Sequence, residues 1–194
     1  MEHKDHSTYD RNYYAGCNNE YRKYLRFQVF AFLRAVYIKR VFNPKTVLDV
    51  GCGMGNLVEA LRKLGIESHG IEVSDYALSQ IPRECRGYCR KGSILEIPFA
   101  DKEFDLVVSC SVLEHIPPDQ ISQAIRECAR VTGQAMLHEI AVLENKRVIH
   151  KDPTHVSKFN RLWWAQELQS ELNGWQVREA RIPILQNGVL VCRR

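Results

Sequence analysis

Val47-Leu48-Asp49-Val50-Gly51-Cys52-Gly53-Met54-Gly55 is the stretch that decides the fold. Lys45 to Val50 is a short apolar run ending at Gly51, the pattern of a buried strand. Glycine at alternate positions 51, 53 and 55 then predicts a turn, because glycine reaches positive φ and puts no Cβ in a ligand's path. Gly55 to Leu64 is helical in pattern and Gly65 is a C-terminal stop. A strand, a glycine turn and a helix start expose backbone N–H groups that favour a carboxylate or a phosphate.

Outward from this loop, strands and helices alternate. Glu20 to Phe42 has apolar residues at three- and four-residue steps and is expected to be a helix that ends at Asn43-Pro44. Residues 1–19 are polar and aromatic, with Gly16 and Asn18-Asn19 as loop formers. Further strands are expected at Ser68–Val73, near Gly87–Cys89, at Phe104–Cys110 and at Gln134–Ile140. Gln176–Ile184 and Gly188–Cys192 would close the sheet as an antiparallel pair. Helices are expected at Tyr76–Ile81, N-capped by Ser74-Asp75, at Pro118–Val131 and at Leu162–Leu172. This order predicts an α/β fold, a Rossmann-like, doubly wound and mostly parallel seven-stranded sheet with right-handed crossovers. In such sheets ligands bind beyond the carboxyl ends of the strands.

The chain has 194 residues, 45% hydrophobic and 26% charged, which suits one globular domain. Residues 1–43, a helical lid and the first helix, are expected to belong to the same domain as the core at 44–194. A net charge of +4 is mild for a protein that coats nucleic acid. Seven cysteines, with no C-x-x-C spacing, suggest reduced thiols in a cytoplasmic protein rather than disulfides or zinc. The polar start, Met1 to His6, does not resemble a secretory signal. Phe27 to Ile38 is interrupted by Arg34 and falls short of the ~20 residues that span a bilayer, so no membrane association is expected.

Two features single out the ligand. The dinucleotide fingerprint G-x-G-x-x-G needs glycine at position 56, where Asn56 stands. Glu72 ends the second strand in Gly70-Ile71-Glu72-Val73-Ser74, where a carboxylate can accept hydrogen bonds from both ribose hydroxyls. The loop resembles the first motif of the class I S-adenosylmethionine-dependent methyltransferases, hydrophobic-L-D-hydrophobic-G-C-G-x-G. Lys91-Gly92-Ser93-Ile94, Ile97-Pro98-Phe99, Phe104-Asp105 and Glu114-His115-Ile116 continue the likeness to that family's small-molecule, type 11 members, over about residues 45 to 140.

The resemblance implies S-adenosyl-L-methionine as cofactor and methyl transfer as the activity. It implies cofactor contacts from Asp49, Gly51, Cys52, Gly53 and Asn56 in the loop, and from Glu72 and Val73 at the second strand end. Ser93, Ile94, Ser109 and Cys110 would complete them. The family commonly has an acid after the glycine of the third segment, and this chain has Ser93. Tyr9-Asp10-x-x-Tyr13-Tyr14 and Glu20-Tyr21 resemble an aromatic lid over the cofactor, with Tyr13 and Tyr21 as contacts; packing between helices is the alternative.

Methyl transfer needs a nucleophile held near the methyl carbon and, where it bears a proton, a base. No metal is needed. His115, after the fourth strand, is the first candidate base, and capping its own turn is its other reading. His150-Lys151-Asp152-Pro153-Thr154-His155 is a second cluster in a long connection, where His150, Asp152 and His155 could supply a base, a substrate clamp or a metal site. Ordering of the loop by an Asx turn is the alternative there. His138-Glu139 is a weaker pair. Asp152-Pro153-Thr154-His155-Val156, followed by Trp163-Trp164, resembles small methyltransferases of sugar and natural-product modification, and that resemblance implies a small-molecule acceptor, such as a sugar or natural-product intermediate, methylated at oxygen or nitrogen. Three alternatives stay open: nucleic-acid methylation, a non-catalytic cofactor-binding partner and, remotely, a nicotinamide dehydrogenase. Against nucleic acid, Ile116-Pro117-Pro118-Asp119 lacks the aromatic that would stack a flipped base.

Overall fold

The computed structural model describes residues 9–18, 21–149, 152–180 and 188–194, without the side chains of residues 15–18, 21–27, 147 and 148. His150 therefore lies outside the described residues, as do residues 181–184 of the expected penultimate strand. The chain forms two compact units, Met1–Ser93 and Ile94–Arg194.

In the first unit, α1 (Arg11–Asn18) and α2 (Tyr21–Val41) precede β1 (Thr46–Val50), α3 (Asn56–Lys63), β2 (Glu67–Glu72), α4 (Asp75–Ser79) and β3 (Cys89–Lys91). β1 pairs with β2 and β2 with β3, both parallel. The core is made where β1 and β2 bury Val47, Leu48, Val50 and Ile71 with Leu57, Val58 and Leu61 of α3 and Ala35 and Ile38 of α2. Each of the Val, Leu and Ile side chains contributes ~1.5–3 kcal/mol by leaving water. The chain at 11–18 is helical rather than a loop, because Asp10 Oδ1 accepts the N–H groups of Asn12 at 2.8 Å and Tyr13 at 3.0 Å. The third strand begins two residues later than expected, since Arg83–Tyr88 winds into a 3₁₀ turn.

The second unit runs β4 (Phe104–Cys110), α5 (Ile121–Val131), β5 (Thr132–Ile140), α6 (Lys146–Ile149), α7 (Arg161–Glu171), β6 (Gln176–Ala180) and β7 (Gly188–Arg193). β4 and β5 are parallel, and β7 runs antiparallel to both β5 and β6, giving the expected closing pair. Leu106, Val107, Val108, Met136 and Leu137 are buried, as are Ile121, Ile125 and Cys128 of α5 and Trp164 and Leu168 of α7. The connection before β4 is pinned by Arg130, whose guanidinium donates to the carbonyls of Ile97 at 2.8 Å and Phe99 at 2.9 Å. No helix among the described residues is long and apolar enough to cross a membrane.

Candidate functional site

The glycine loop of the first unit is built as its residues require. Gly51, Gly53 and Gly55 have φ of 72°, 54° and 77°. At Gly53 an added Cβ would meet no atom within 4 Å, so the loop has open space beside it. Gly51 and Cys52 tie back to β2, their N–H groups both donating to the Ile71 carbonyl, at 2.9 and 3.0 Å. Cys52 is buried, and Asn56, half-buried, opens α3. That helix has no side-chain cap at Gly55, which leaves its first amides to an outside acceptor.

Glu72 joins the loop to the end of β2. It is 5% exposed. Its Oε2 accepts the Gly53 N–H at 2.8 Å, and Oε1 accepts those of Val73 and Ser74 at 2.9 Å each. Burial raises its pKa and those three amides oppose the rise. Asp49, on β1, is pushed up to about 7 by burial, against the pull of the Arg34 guanidinium and with a push from Glu72. Val73 is half-buried.

The N-terminal aromatics gather at this strand end. Tyr9, Tyr13 and Tyr14 stack edge to face, with centroids 5.1 and 5.3 Å apart, and Tyr14 reaches Tyr76 of α4 at 5.9 Å. The Ser74 hydroxyl, which caps α4 by accepting the Ala77 N–H, also donates to the Tyr9 carbonyl at 2.5 Å. Tyr21 is the first residue of α2, and its side chain is outside those described.

In the second unit the chain brings two distant stretches together. Glu114 and His115 lie in a 3₁₀ turn after β4, and the Glu114 carbonyl accepts the N–H groups of both Val156 and Ser157 at 3.0 Å. The Ser157 hydroxyl adds a bond to the Ile116 carbonyl at 2.6 Å. These clamps set the His155 ring against His115, with centroids 4.7 Å apart. Asp152 orders the loop as an Asx turn, its Oδ1 accepting the Thr154 N–H at 2.8 Å and the Thr154 hydroxyl at 2.5 Å. Thr154 Oγ1 in turn lies 2.9 Å from His115 Nδ1, and His155 Nδ1 lies 3.1 Å from the Ile149 carbonyl. His155 Nε2 is 3.9 Å from Asp152 Oδ2 and 4.0 Å from Glu114 Oε1.

Glu114 is fully buried. One oxygen accepts the Ala141 N–H at 3.0 Å, and the other, Oε2, has no hydrogen-bond partner. Burial raises its pKa to about 7, opposed by backbone amides of Glu114 and Ala141 and, more weakly, by the Ser111 hydroxyl, and reinforced by Glu139. His138 is a different kind of histidine: fully buried on β5, with Nδ1 2.8 Å from the Ser109 hydroxyl and its pKa lowered to about 4 by burial.

A family model described as a methyltransferase domain matches residues 48–135. The chain is 35% identical over 143 residues to a protein of Oryza sativa subsp. japonica named "Probable tocopherol O-methyltransferase, chloroplastic", covering 68% of this chain and 38% of that one. It is 33% identical over 99 residues to norajmaline N-methyltransferase of Rauvolfia serpentina, covering 47% and 33%. A SAM-dependent methyltransferase from Archaeoglobus fulgidus has the same fold, with a TM-score of 0.66 at 18% identity over 90% of this chain and all of that one. Residues 48–135 are a methyltransferase domain of the class I S-adenosylmethionine-dependent kind. It spans only about 40% of the length of the curated relatives it matches.

In the first unit, Asp49, Gly51, Cys52, Gly53, Asn56, Glu72 and Val73 lie at or just beyond the ends of the paired strands β1 and β2, with Tyr13 in the aromatic chain beside Ser74. Ser93 is half-buried at the end of that unit, and Ile94 is buried at the start of the next. Cys110 is half-buried at the end of β4. The Ser109 side chain is turned to His138, which leaves its backbone as the part able to face a ligand. His115, Asp152 and His155 come together. Glu114 and Thr154 belong with them and carried no assigned chemical role in the sequence. A carboxylate between apolar Leu113 and the His115-Ile116 pair was the available signal for the first.

Proposed function

We propose that the protein transfers the methyl group of S-adenosylmethionine to an oxygen or nitrogen of a small-molecule acceptor. The observation that carries this reading is the 2.8 Å bond between the Gly53 N–H and Glu72 Oε2, which fastens the glycine turn to the acidic strand end. The open space at Gly53 and the uncapped start of α3 fit the cofactor's amino-acid end, and Glu72 fits its ribose. The bound cofactor supplies an electrophilic methyl on a sulfonium: the acceptor's lone pair forms the new bond to carbon while the C–S pair returns to sulfur. Tyr13 and Tyr21 would cover this end as a lid, and Ser93, Ile94, Ser109 and Cys110 would complete the contacts.

For the proton, the hydrogen-bond network favours the imidazoles. The Ile149 carbonyl can only accept, so His155 Nδ1 carries hydrogen and the neutral ring keeps its lone pair on Nε2. Thr154 gives its one hydroxyl proton to Asp152, so its oxygen accepts from His115 Nδ1, and His115 has the same tautomer. On this reading His115 or His155 takes the acceptor's proton at Nε2, and Asp152 holds His115 through Thr154. Relatives named for oxygen and for nitrogen methylation support either heteroatom. The six described cysteines are free thiols, four of them buried, which supports the cytoplasm as the place of action.

Calorimetry and turnover test the assignment. S-adenosylmethionine should bind in the micromolar range, and Gly53→Arg and Glu72→Ala should each weaken it at least tenfold. Full affinity in both variants would overturn the placement. With a panel of hydroxyl and amine acceptors, His115→Ala and His155→Ala should lower turnover and spare cofactor affinity.

A further inference from the structure

We infer that Glu114, His115 and His155 form a binding site for a first-row divalent transition-metal ion of the zinc class. The three residues each offer a ligand atom, and these atoms lie within 4.8 Å of one another. Around an ion with bonds of ~2.1 Å, tetrahedral ligands stand about 3.4 Å apart, so the cluster must close by up to about 1.4 Å, within reach of side-chain rotations. Asp152 Oδ2, 3.9 Å from His155 Nε2, is near enough to join or to hold a bound water.

Three independent features favour a cation over a bare polar cluster. The first is Glu114, a fully buried side chain whose Oε1 lies 4.0 Å from His155 Nε2 and whose Oε2 has no hydrogen-bond partner. Such an orphan costs stability unless something satisfies it. A cation beside it would do so. Second, both imidazoles donate Nδ1–H to an oxygen and keep the lone pair on Nε2, the tautomer that a metal-ligating histidine is given by its outer partners. Third, those partners are themselves fixed: Thr154 by Asp152, and the backbone around His155 by the Val156 and Ser157 bonds to Glu114. Two imidazole nitrogens and one carboxylate suit zinc, cobalt, iron(II) or manganese, whereas magnesium and calcium prefer oxygen ligands alone.

Three protein ligands leave a fourth position open. Under the methyl-transfer reading that position would take the acceptor's oxygen or nitrogen; with both Nε2 lone pairs on the ion, the ion would ease loss of the acceptor's proton and the Asp152 carboxylate, rather than an imidazole, would receive it. Only that last assignment rests on the reading. Metal binding is measured with neither cofactor nor acceptor present, so the two can fail separately.

The test is titration of the full, metal-stripped chain with Co²⁺, followed by its d–d absorption, with Zn²⁺ as competitor and metal content measured after dialysis. One ion per chain is expected, bound at micromolar concentration or tighter. His115→Ala and His155→Gln should weaken binding at least tenfold while the far-ultraviolet circular dichroism stays that of the parent. Thr154→Val leaves every ligand in place and should weaken it about 10-fold or more through His115 alone. His3→Ala/His6→Ala should leave it unchanged. The inference is overturned by a wild-type chain that retains no cobalt or zinc at 100 µM, or by equal retention in both histidine variants. Loss in the His3/His6 variant would move the site to the N-terminus and overturn it too.

Discussion

Asp49 should make the stability of this protein fall as the pH rises. Its carboxyl is 4% exposed, and burial raises its pKa from 3.8 to about 7. The unfolded chain releases the proton near pH 3.8 and the folded chain holds it to about pH 7. Between those values the folded state binds more protons, and stability declines with each step upward in pH. The whole span is worth about 4 kcal/mol at 1.36 kcal/mol per pH unit, of which about 3 kcal/mol falls between pH 4.5 and 8. Asp49→Asn has no proton to lose and keeps much the same shape. Urea unfolding of both proteins at pH 4.5, 6 and 8 gives the variant's stability relative to the parent, a difference in which groups common to both cancel. That difference should shift by about 3 kcal/mol in the variant's favour across the range. A difference that stays level within 0.5 kcal/mol, as an order-of-magnitude threshold, would show that Asp49 is not held protonated and refute the reasoning.

Arg34 opposes the rise at Asp49, so Arg34→Met should steepen the parent's decline with pH, read from the same urea curves. Gly70→Ala would place a Cβ 2.6 Å from Cys52 Sγ and 2.7 Å from its Cβ, so the loop must move; a cost of about 1–3 kcal/mol in melting experiments and a weaker cofactor signal are expected. His138 has the opposite pH sign to Asp49: its pKa falls from 6.5 to about 4, so the folded chain binds fewer protons in that window and about 3 kcal/mol is lost on acidification from pH 6.5 to 4, a loss His138→Gln should remove. Arg130→Met frees the carbonyls of Ile97 and Phe99, and hydrogen exchange over residues 97–101 should accelerate by tenfold or more.

The strands were legible wherever the apolar run was bounded by its own chemistry. Phe104–Cys110 has the expected limits because Phe-Asp-Leu-Val-Val-Ser-Cys alternates little, is buried through its centre, and is followed by Ser111 at positive φ. β3 is a weaker case. Cys89–Lys91 is three residues long and half exposed, so it has no apolar signature, and the strand was placed on the glycine that precedes it. α1 escaped notice because Gly16 and Asn18 lower helix propensity, although Asp10 two residues before Asn12 is an N-cap signal. Local composition outweighed a cap there, and the fold obeyed the cap.

The glycine turn and the histidine cluster differ in legibility for a reason of chain geometry. The glycine turn is self-contained: its glycines, its strand and its helix are consecutive, and Glu72 is fixed by ending the strand paired with β1. The histidine cluster depends on a clamp between main-chain groups, the Glu114 carbonyl with the amides of Val156 and Ser157, which any residue except proline could donate. No side-chain pattern encodes such a clamp. His115 and His155 could be named separately from sequence, but their meeting could not, and neither could the reversal in Glu114. Next to His115 in sequence, it read as no more than a partner in capping the strand-helix turn. Once the clamp closes, it becomes a fully buried carboxyl with one oxygen unserved. A buried carboxylate held by a main-chain clamp between two tautomer-fixed imidazoles is costly to keep for packing alone, since apolar residues of similar size would fill the same volume without an orphaned oxygen. That cost argues for a cationic or proton-handling role, and it is why Glu114→Gln, which removes the buried charge and keeps an acceptor for the Ala141 N–H, should melt no lower than the parent even as it weakens cobalt binding.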